Sequence, residues 1–503
     1  MPTPSSWTLT ACGHDGTVPH QPRPHHPRRA KRFLAVAALL ALPVTGCTAS
    51  PEQPSAAAPP GEPFTFRVLT TGLADPYEII MGPDGFLWVT EKMGKRVTRV
   101  NPSDGSKSTV ATIAEVYSTE SQDGLLGMAF QVNFLKGSND VYLAYTYDAD
   151  PGSEVDRRTK IARYTYNPAA RTLDQPIDLI TGLLASTDHN SGRLLTGPDQ
   201  KLYYSIGDQG NNQFRRFCNP IRAQDLPTAN DVRTRNWVTY VGKTLRLNLD
   251  GSIPADNPEI RGVRSHIYSY GHRNPQGLVF GPEGRLFSAE HGPKSDDEIN
   301  HIQAGRNYGW PSVSGFRDDE SYGYANWSAA TNPPCASVHY DNFAIPPFVP
   351  QQRETAWNSP DYVEPLKTLY TVPNGYNFRD PACGDQAYIC WPSIAPSSVD
   401  YVPASEGAFD GWRNCLLVTS LKKGALYCLR LTPDGRSVQG EVTEFFKTTN
   451  RYRDLALSPD YRTVYIATDS TGLTGPKFGP PTEQLANPGA ILAFTFAGSG
   501  SGS

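Results

Sequence analysis

The sequence predicts an all-β fold, a six-bladed β-propeller of four-stranded antiparallel blades, and three observations carry that expectation. The first is composition: 44 Gly and 45 Pro, with 25 Tyr, 20 Phe and 8 Trp against 4 Met, favour short strands and many turns over long helices. The second is a recurring pattern, a Gly/Ser-Pro-x turn, an aromatic-rich strand and a closing acid. It occurs as GPDGFLWVTE (82–91), GPDQKLYYSIGD (197–208), GPEGRLFSAE (281–290) and SPDYRTVYIATD (458–469), with DGLLGMAF (123–130) and LTPDGRSV (431–438) as weaker relatives. The third is length without amphipathic helices: about 440 residues after the N-terminal region fit six blades of roughly 70 each. Two β-sandwiches with coincidental Gly-Pro turns are the competing architecture.

Taken in order, the chain opens on an export leader. Arg28, Arg29, Lys31 and Arg32 form a basic run, and FLAVAALLALPV (33–44) is apolar but too short to span a bilayer. Val44-Thr45-Gly46-Cys47 resembles a bacterial lipobox. Residues 1–46 are therefore expected to be a lipoprotein signal peptide, with Cys47 lipidated at the outer face of the membrane; a conventional cleavage site, giving a secreted protein, is the alternative. The Pro/His-rich stretch before Arg28 leaves open a start downstream of Met1. Residues 47–63 read as a disordered tether, 64–497 as the propeller and 498–503 as a disordered tail.

Of eight Cys, Cys12 and Cys47 belong to the leader and lipobox, and the remaining six suit an oxidising compartment. Cys383 and Cys390 flank a short loop, Cys415 and Cys428 bracket the hairpin-like LLVTSLKKGALY, and Cys218 and Cys335 are left as the third pair. A zinc site is the competing use, but no CxxC or HxxxH spacing supports it. The net charge of −4 gives a nucleic-acid role no electrostatic support.

The chemistry concentrates in residues 266–316. Arg273 and Asn274 precede one strand of that hairpin, Gly292 and Pro293 follow the other, and Ser295-Asp296-Asp297-Glu298 leads into a Gly- and aromatic-rich loop. A cation, a carboxamide, carbonyls and carboxylates at one hairpin suggest a cofactor and metal cradle; a solvated acidic turn is the plainer reading of the acids. Polar groups recur seven to nine residues upstream of the repeated turns: Asp188-His189, Arg273-Asn274 and Arg451 with Arg453, with Gln122 at a comparable place. Equivalent positions in different blades lie at one height, so these side chains are expected to meet at one mouth of the channel.

Several segments are longer and more specific: DHNSGRLLTGPDQKLYYSIGDQGNNQ, YVGKTLRLNLDGSIPADNP, HIYSYGHRNPQGL, HGPKSDDEINHI, NYGWPSVSGF, CGDQAYICWPSIAPSS, SLKKG and NRYRDLALSPD. In that order they resemble the soluble, PQQ-dependent quinoprotein glucose dehydrogenases of the glucose/sorbosone dehydrogenase family, over about residues 64 to 497. The resemblance implies a six-bladed propeller, pyrroloquinoline quinone (PQQ), calcium, and oxidation of aldoses at C1 to lactones. It makes His189 the general base and the C5 carbonyl of the quinone the hydride acceptor. Gly292 and Pro293 correspond to carbonyl ligands of the calcium that meets the quinone. Glu298, Tyr308, Ser314, Phe316, Asp318 and Glu354 correspond to ligands of further calcium sites that support structure and dimerisation, Tyr308, Ser314 and Phe316 through their carbonyls.

The residues themselves suit that chemistry. A flat tricarboxylate needs several cations, and Arg273, Lys422, Arg451 and Arg453 supply them. Asn274, Gln122 and Ser393 add hydrogen bonds, and Arg273 also counts with the catalytic set. Neutral imidazole at His189 suits removal of a hydroxyl proton near pH 7, and Asp208 is the group to orient it. Asp188 and Gln213 are expected to hold sugar hydroxyls, and Tyr388 and Trp391 to offer flat surface to sugar or quinone. Three positions depart from the family pattern: His291 stands where glutamine is familiar, Ser393 where threonine is, and Phe214 where a smaller apolar residue is. A calcium-dependent propeller lactonase and a non-catalytic carbohydrate-binding propeller are the alternative functions. The preferred sugar and the physiological electron acceptor stay open.

Overall fold

The computed structural model describes residues 63–404, 409–475 and 480–498; the leader, nearly all of the tether and the end of the tail lie outside them. Among the described residues there are six four-stranded antiparallel sheets, the propeller that the repeats predict. Blade 1 comprises Pro76–Met81, Leu87–Glu91, Arg96–Val100 and Lys107–Thr112; blade 2, Leu125–Phe130, Asp140–Asp148, Arg157–Asn167 and Thr172–Leu184. Blade 3 comprises Leu194–Thr196, Leu202–Ile206, Lys243–Leu247 and Ile267–Tyr270; blade 4, Pro275–Phe280, Leu286–Glu290, Asp297–Ile302 and Lys367–Leu369. Blade 5 comprises Pro396–Val402, Cys415–Ser420, Leu426–Arg430 and Thr443–Phe445. Blade 6 takes Tyr452–Leu457, Thr463–Thr468 and Ile491–Phe496 from the end of the chain and Phe64–Thr70 from its start. The innermost strand of each blade touches that of the next all the way round, so the ring closes.

The packing explains the strand sequences. The six largest apolar clusters each lie between two blades: Trp88 and Val97 of blade 1 meet Met128 and Leu143 of blade 2, and Leu417 of blade 5 meets Ile466 of blade 6. A strand such as LWVTE is thus buried on both faces and reads as a continuous run instead of alternating. The closing strand is pinned by Phe64, whose ring lies 4.8 Å from Trp412 and 5.0 Å from Phe446.

All four strong repeats sit at the turn between the first and second strands of a blade. In three of them the Asp after Pro accepts from the backbone amide two residues on (Asp84 from Phe86 at 3.2 Å, Asp199 from Lys201 at 3.2 Å, Asp460 from Arg462 at 3.1 Å), which fixes the turn. The two weaker relatives are placed differently. Residues 123–130 hold the inner strand of blade 2, and 431–438 joins the third and fourth strands of blade 5.

At the hub, the buried Arg193 of blade 3 binds Glu78 of blade 1 (2.7 Å) and Asp454 of blade 6 (2.9 Å), and donates to the carbonyls of Gln276 in blade 4 (2.9 Å) and Ser397 in blade 5 (3.0 Å). One guanidinium therefore ties five inner strands together. The six remaining cysteines form the three expected disulfides, Cys218–Cys335, Cys383–Cys390 and Cys415–Cys428. No helix among the described residues is long and apolar enough to cross a membrane.

Candidate active site

One mouth of the channel opens into a cavity of about 620 Å³. Of the residues singled out from sequence, Gln122, Asp188, His189, Gln213, Arg273, Gly292, Pro293, Tyr388, Trp391, Ser393, Lys422, Arg451 and Arg453 all line it. They arrive on the ends of inner strands and on loops from blades 2 to 6, as the repeat positions imply. The connection 207–242 and the long insertion 303–366 build one wall. Phe214 and Tyr340 face each other there at 5.8 Å between ring centroids, and the Cys218–Cys335 disulfide joins the two segments.

His189 lies 5% exposed on the loop before the first strand of blade 3. Its φ of +46° is a conformation that costs a non-glycine residue about 1–3 kcal/mol, and the neighbours hold it. Asn190 accepts from Ser186 N (2.9 Å) and donates to the carbonyls of Gln122 (2.9 Å) and Ser186 (2.7 Å). Gln122 Oε1 accepts from His189 N at 3.1 Å. Behind the ring, His189 Nδ1 meets Asp208 Oδ1 at 2.6 Å, while Trp310 Nε1 donates to Asp208 Oδ2 at 2.8 Å. The carboxylate fixes the proton on Nδ1 and turns the Nε2 lone pair to the cavity. There Nε2 lies 3.4 Å from Gln213 Nε2 and 3.7 Å from Asp188 Oδ1. Residue 207 must be glycine, since a Cβ would fall 2.1 Å from the His189 carbonyl oxygen.

The repeat's closing acid explains how the mouth residues are held. At the end of the second strand in blades 1, 3, 4 and 6 it grips the backbone or side chain just before, or at the start of, the first strand of its own blade. Glu91 accepts from Ala74 N (2.6 Å), Asp208 holds His189, and Glu290 accepts from the amides of Arg273 and Asn274. Asp469 pairs with Arg451 Nε (2.9 Å) and Arg453 Nε (2.7 Å). Burial would raise the Asp469 carboxyl, but Arg453 and Arg451 outweigh it and hold it down at about 2.

Other cations are less well paired. Lys422 donates to the Trp391 carbonyl at 3.0 Å, and burial pushes its ammonium down to about 7 against the pull of Asp297. Lys294, a cavity residue that the sequence reading passed over, lies over the rings of Phe343 and Phe378. Burial, opposed by Asp341, lowers it to about 8. Arg273 stacks over Trp310, donates to Gln213 Oε1 at 3.2 Å, and keeps a buried Nε without a partner. Buried cations short of carboxylates, with orphaned donors beside them, suit a flat polyanionic guest.

Two expected cofactor contacts differ in detail. Asn274 is fully buried and off the cavity wall: its Oδ1 accepts from Ser191 and Gln276, while Nδ2 is unpartnered. The Ser393 hydroxyl donates to Asp297 Oδ1 at 3.1 Å.

The carbonyls of Gly292 and Pro293 accept no hydrogen bond from the described residues. Gly292 is indispensable to this turn, because a Cβ would lie 1.9 Å from Ser295 O. Its amide donates to the buried Asp297, which also accepts from Ile394 N and Ala395 N. The remaining expected metal ligands lie away from the cavity wall. Glu298 accepts from Gly315 N (2.7 Å), and Glu354 accepts from Ser314 N (2.9 Å) and Asp319 N (3.0 Å). The Phe316 carbonyl accepts from Asp318 N, Asp318 is exposed, and the Tyr308 hydroxyl is bound to the His301 carbonyl. Burial and neighbouring acids raise Glu298 well above the usual range and Glu354 to about 8, which marks these carboxylates as lacking a counter-charge. Among the described residues no group of three or more His, Cys, Asp or Glu side chains is arranged to hold a metal, so any such site draws on carbonyls as well.

The family model for the glucose/sorbosone dehydrogenases matches residues 73–341 and 371–474. The chain belongs to that family. Quinoprotein glucose dehydrogenase B of Acinetobacter calcoaceticus is 45% identical over 438 residues, which are 86% of this chain and 91% of that one. The PQQ-bound aldose sugar dehydrogenase of Streptomyces coelicolor has a TM-score of 0.58 at 23% identity, over 87% of this chain and 99% of its own. The soluble aldose sugar dehydrogenase of Escherichia coli, in its apo form, has a TM-score of 0.58 at 22% identity, over 86% of this chain and 99% of its own. These two structures share the fold.

Proposed function

We propose that this chain oxidises the C1 hydroxyl of an aldose, glucose-like in class, to the lactone, with pyrroloquinoline quinone as electron acceptor. The observation that carries the reading is the convergence of the Asp208-bound His189 with Arg273, Lys422, Arg451 and Arg453 on one cavity. The cations and the orphaned Arg273 Nε fit the cofactor's three carboxylates, and Gln122 and Ser393 are placed to assist. When bound, the quinone supplies a two-electron acceptor for the C1 hydrogen, and a calcium ion on the Gly292 and Pro293 carbonyls supplies Lewis acidity.

The protein's own part is proton handling and positioning. His189 Nε2 takes the 1-hydroxyl proton, and Asp208 stabilises the imidazolium that results. Asp188 and Gln213, linked at 3.3 Å, hold neighbouring sugar hydroxyls, while Trp391 and Tyr388 flank the ring. Phe214, 53% exposed on the wall, narrows the sugar side. Glu298, Glu354 and the carbonyls around them take structural calcium, which also supports a homodimer. Three disulfides suit an exported enzyme, and Cys47 is its lipid attachment.

The test is reconstitution: apoprotein with the quinone and calcium, an aldose panel, and reduction of a dye. Lactone formation with dye reduction is expected. A holoprotein inert towards every aldose overturns the reading.

A further inference from the structure

We propose that the insertion 303–366 clamps the loop 212–218 at both ends, and that this clamp sets the affinity and selectivity for the sugar. The inference rests on the aldose reading above. It makes Asn212 and the Cys218–Cys335 bridge positioning groups for Gln213.

Gln213 stands in an awkward stretch of backbone. It is extended, at φ −146°, between Asn212 at φ +59° and Phe214 at φ +45°. Asparagine tolerates the left-handed region, but a bulky aromatic residue seldom occupies it. Such a conformation persists only where the surroundings over-determine it. The bonds inside the loop are local. Asn212 N donates to the carbonyls of Arg216 (3.0 Å) and Asn219 (2.9 Å), and Arg216 N donates to that of Gln213 (2.9 Å). These close the loop on itself and leave its attitude to the cavity undetermined.

The insertion supplies what is missing. Upstream, Asn212 Nδ2 donates to the Ala325 carbonyl at 2.8 Å, and its Oδ1 accepts from Ser328 N at 3.2 Å. Downstream, Cys218 is bonded to Cys335, 117 residues away. Between the two ties, the Phe217 ring lies 5.9 Å from Trp327 and 5.6 Å from Tyr340, over a small apolar cluster that includes Cys335 and Val349. No blade strand contributes to this cluster, so loosening it leaves the six sheets and their interfaces in place.

What the clamp holds in place is the Gln213 amide. Its Nε2 lies 3.3 Å from Asp188 Oδ2 and 3.4 Å from His189 Nε2, and its Oε1 accepts from Arg273 Nη2 at 3.2 Å. A side chain seated beside the base can hold the hydroxyl next to the one that loses its proton, the 2-hydroxyl of an aldose. The cations assigned to the quinone stand without it: Lys422, Arg451 and Arg453 belong to blades 5 and 6, and Arg273 also stacks on Trp310.

The test compares wild type with Asn212→Asp, which deletes the donor to Ala325, and with the double variant Cys218→Ala, Cys335→Ala. Trypsin is applied first to the apoproteins, since Arg215 and Arg216 lie inside the loop. Cleavage there is expected to be about tenfold faster in both variants. In the calcium- and quinone-loaded enzymes, KM for glucose should rise about three- to tenfold, the worth of one neutral hydrogen bond. Both kcat and the quinone Kd should stay within about twofold, the latter certifying the fold. The preference for glucose over 2-deoxyglucose in kcat/KM should shrink about as much as KM rises, which a general loosening would not produce. Unchanged cleavage, an equal loss for both sugars, or a parallel loss of quinone binding overturns the proposal and leaves the quinone reading standing. A wild-type holoenzyme inert towards every aldose removes that reading and this proposal together.

Discussion

Asp208→Asn isolates the arrangement behind His189. The two side chains have the same shape, so only charge and donor pattern change. In the protein, Oδ1 accepts from His189 Nδ1 at 2.6 Å and Gly210 N at 2.9 Å, and Oδ2 accepts from Trp310 Nε1 at 2.8 Å. Three donors converge on two acceptors, and asparagine offers only one oxygen. With that oxygen towards His189, the amide NH2 faces the indole N–H, and an orphaned buried donor costs about 1–3 kcal/mol of stability. The useful tautomer survives, but a charge-assisted bond worth about 1.5–3 kcal/mol becomes a neutral one worth about 0.5–1.5, roughly tenfold in kcat. With the NH2 towards His189, Nδ1 must accept, the ring proton moves to Nε2, and the base is lost at a cost of about 10²–10⁴. The expected kcat therefore falls at least about tenfold and at most about 10⁴-fold. KM and quinone affinity stay near wild type, since Asp208 is off the cavity wall. Steady-state dye reduction and a quinone titration measure both, and a kcat within about twofold of wild type refutes the reasoning.

The remaining predictions concern the base, the clamp, the closure and the metal. His189→Gln removes the lone pair outright and is expected to cost about 10²–10⁴ in kcat while quinone binding persists; a near-normal rate excludes it as the base. Asp469 is held near 2 in the fold against an ordinary value of 3.8, so its contribution is present above pH 3.8 and lost as pH falls through 2. Over that window wild type should lose about 2.5 kcal/mol of its advantage over Asp469→Asn, read from unfolding at each pH, and a constant gap contradicts the clamp. Phe64→Ala, at a position 4% exposed, is expected to cost about 3–5 kcal/mol in urea unfolding, and a loss below about 1 kcal/mol means the closing strand is not anchored there. Chelation of divalent cations should lower Tm, because it removes the counter-charge that Glu298 and Glu354 lack in the protein alone; calcium at 100 times its Kd contributes about 2.7 kcal/mol of stability per site. Glu354→Gln should show a smaller drop with the chelator than wild type.

The turns and the mouth were legible for one reason: both are written locally and repeated. A Pro-Asp turn reports its own dihedrals, and the polar residue at a fixed offset before it inherits the symmetry of the ring. The same locality misplaced LTPDGRSV, because turn chemistry is alike in any hairpin and does not say which strands it joins. Contacts between blades were beyond reach. Trp310 reaches Asp208 across 102 residues, and Arg193 gathers acids from the first and last blades. The orientation of Asn274 was also hidden, since its partner Ser191 lies in a neighbouring blade's loop. The closing acids were visible in the repeat, but only the fold revealed that Glu290 and Asp469 serve the arginines.

Those acids give the mouth a modular grammar. Each corner is braced by its own hairpin: Glu290 and Arg273 share blade 4, while Asp469 and Arg451 share blade 6. Damage to one bracket should leave the others standing, so losses at Glu290 and Asp469 should add, whereas Asp469→Asn and Arg451→Ala should overlap. A lineage can retune one corner of such a mouth without renegotiating the rest.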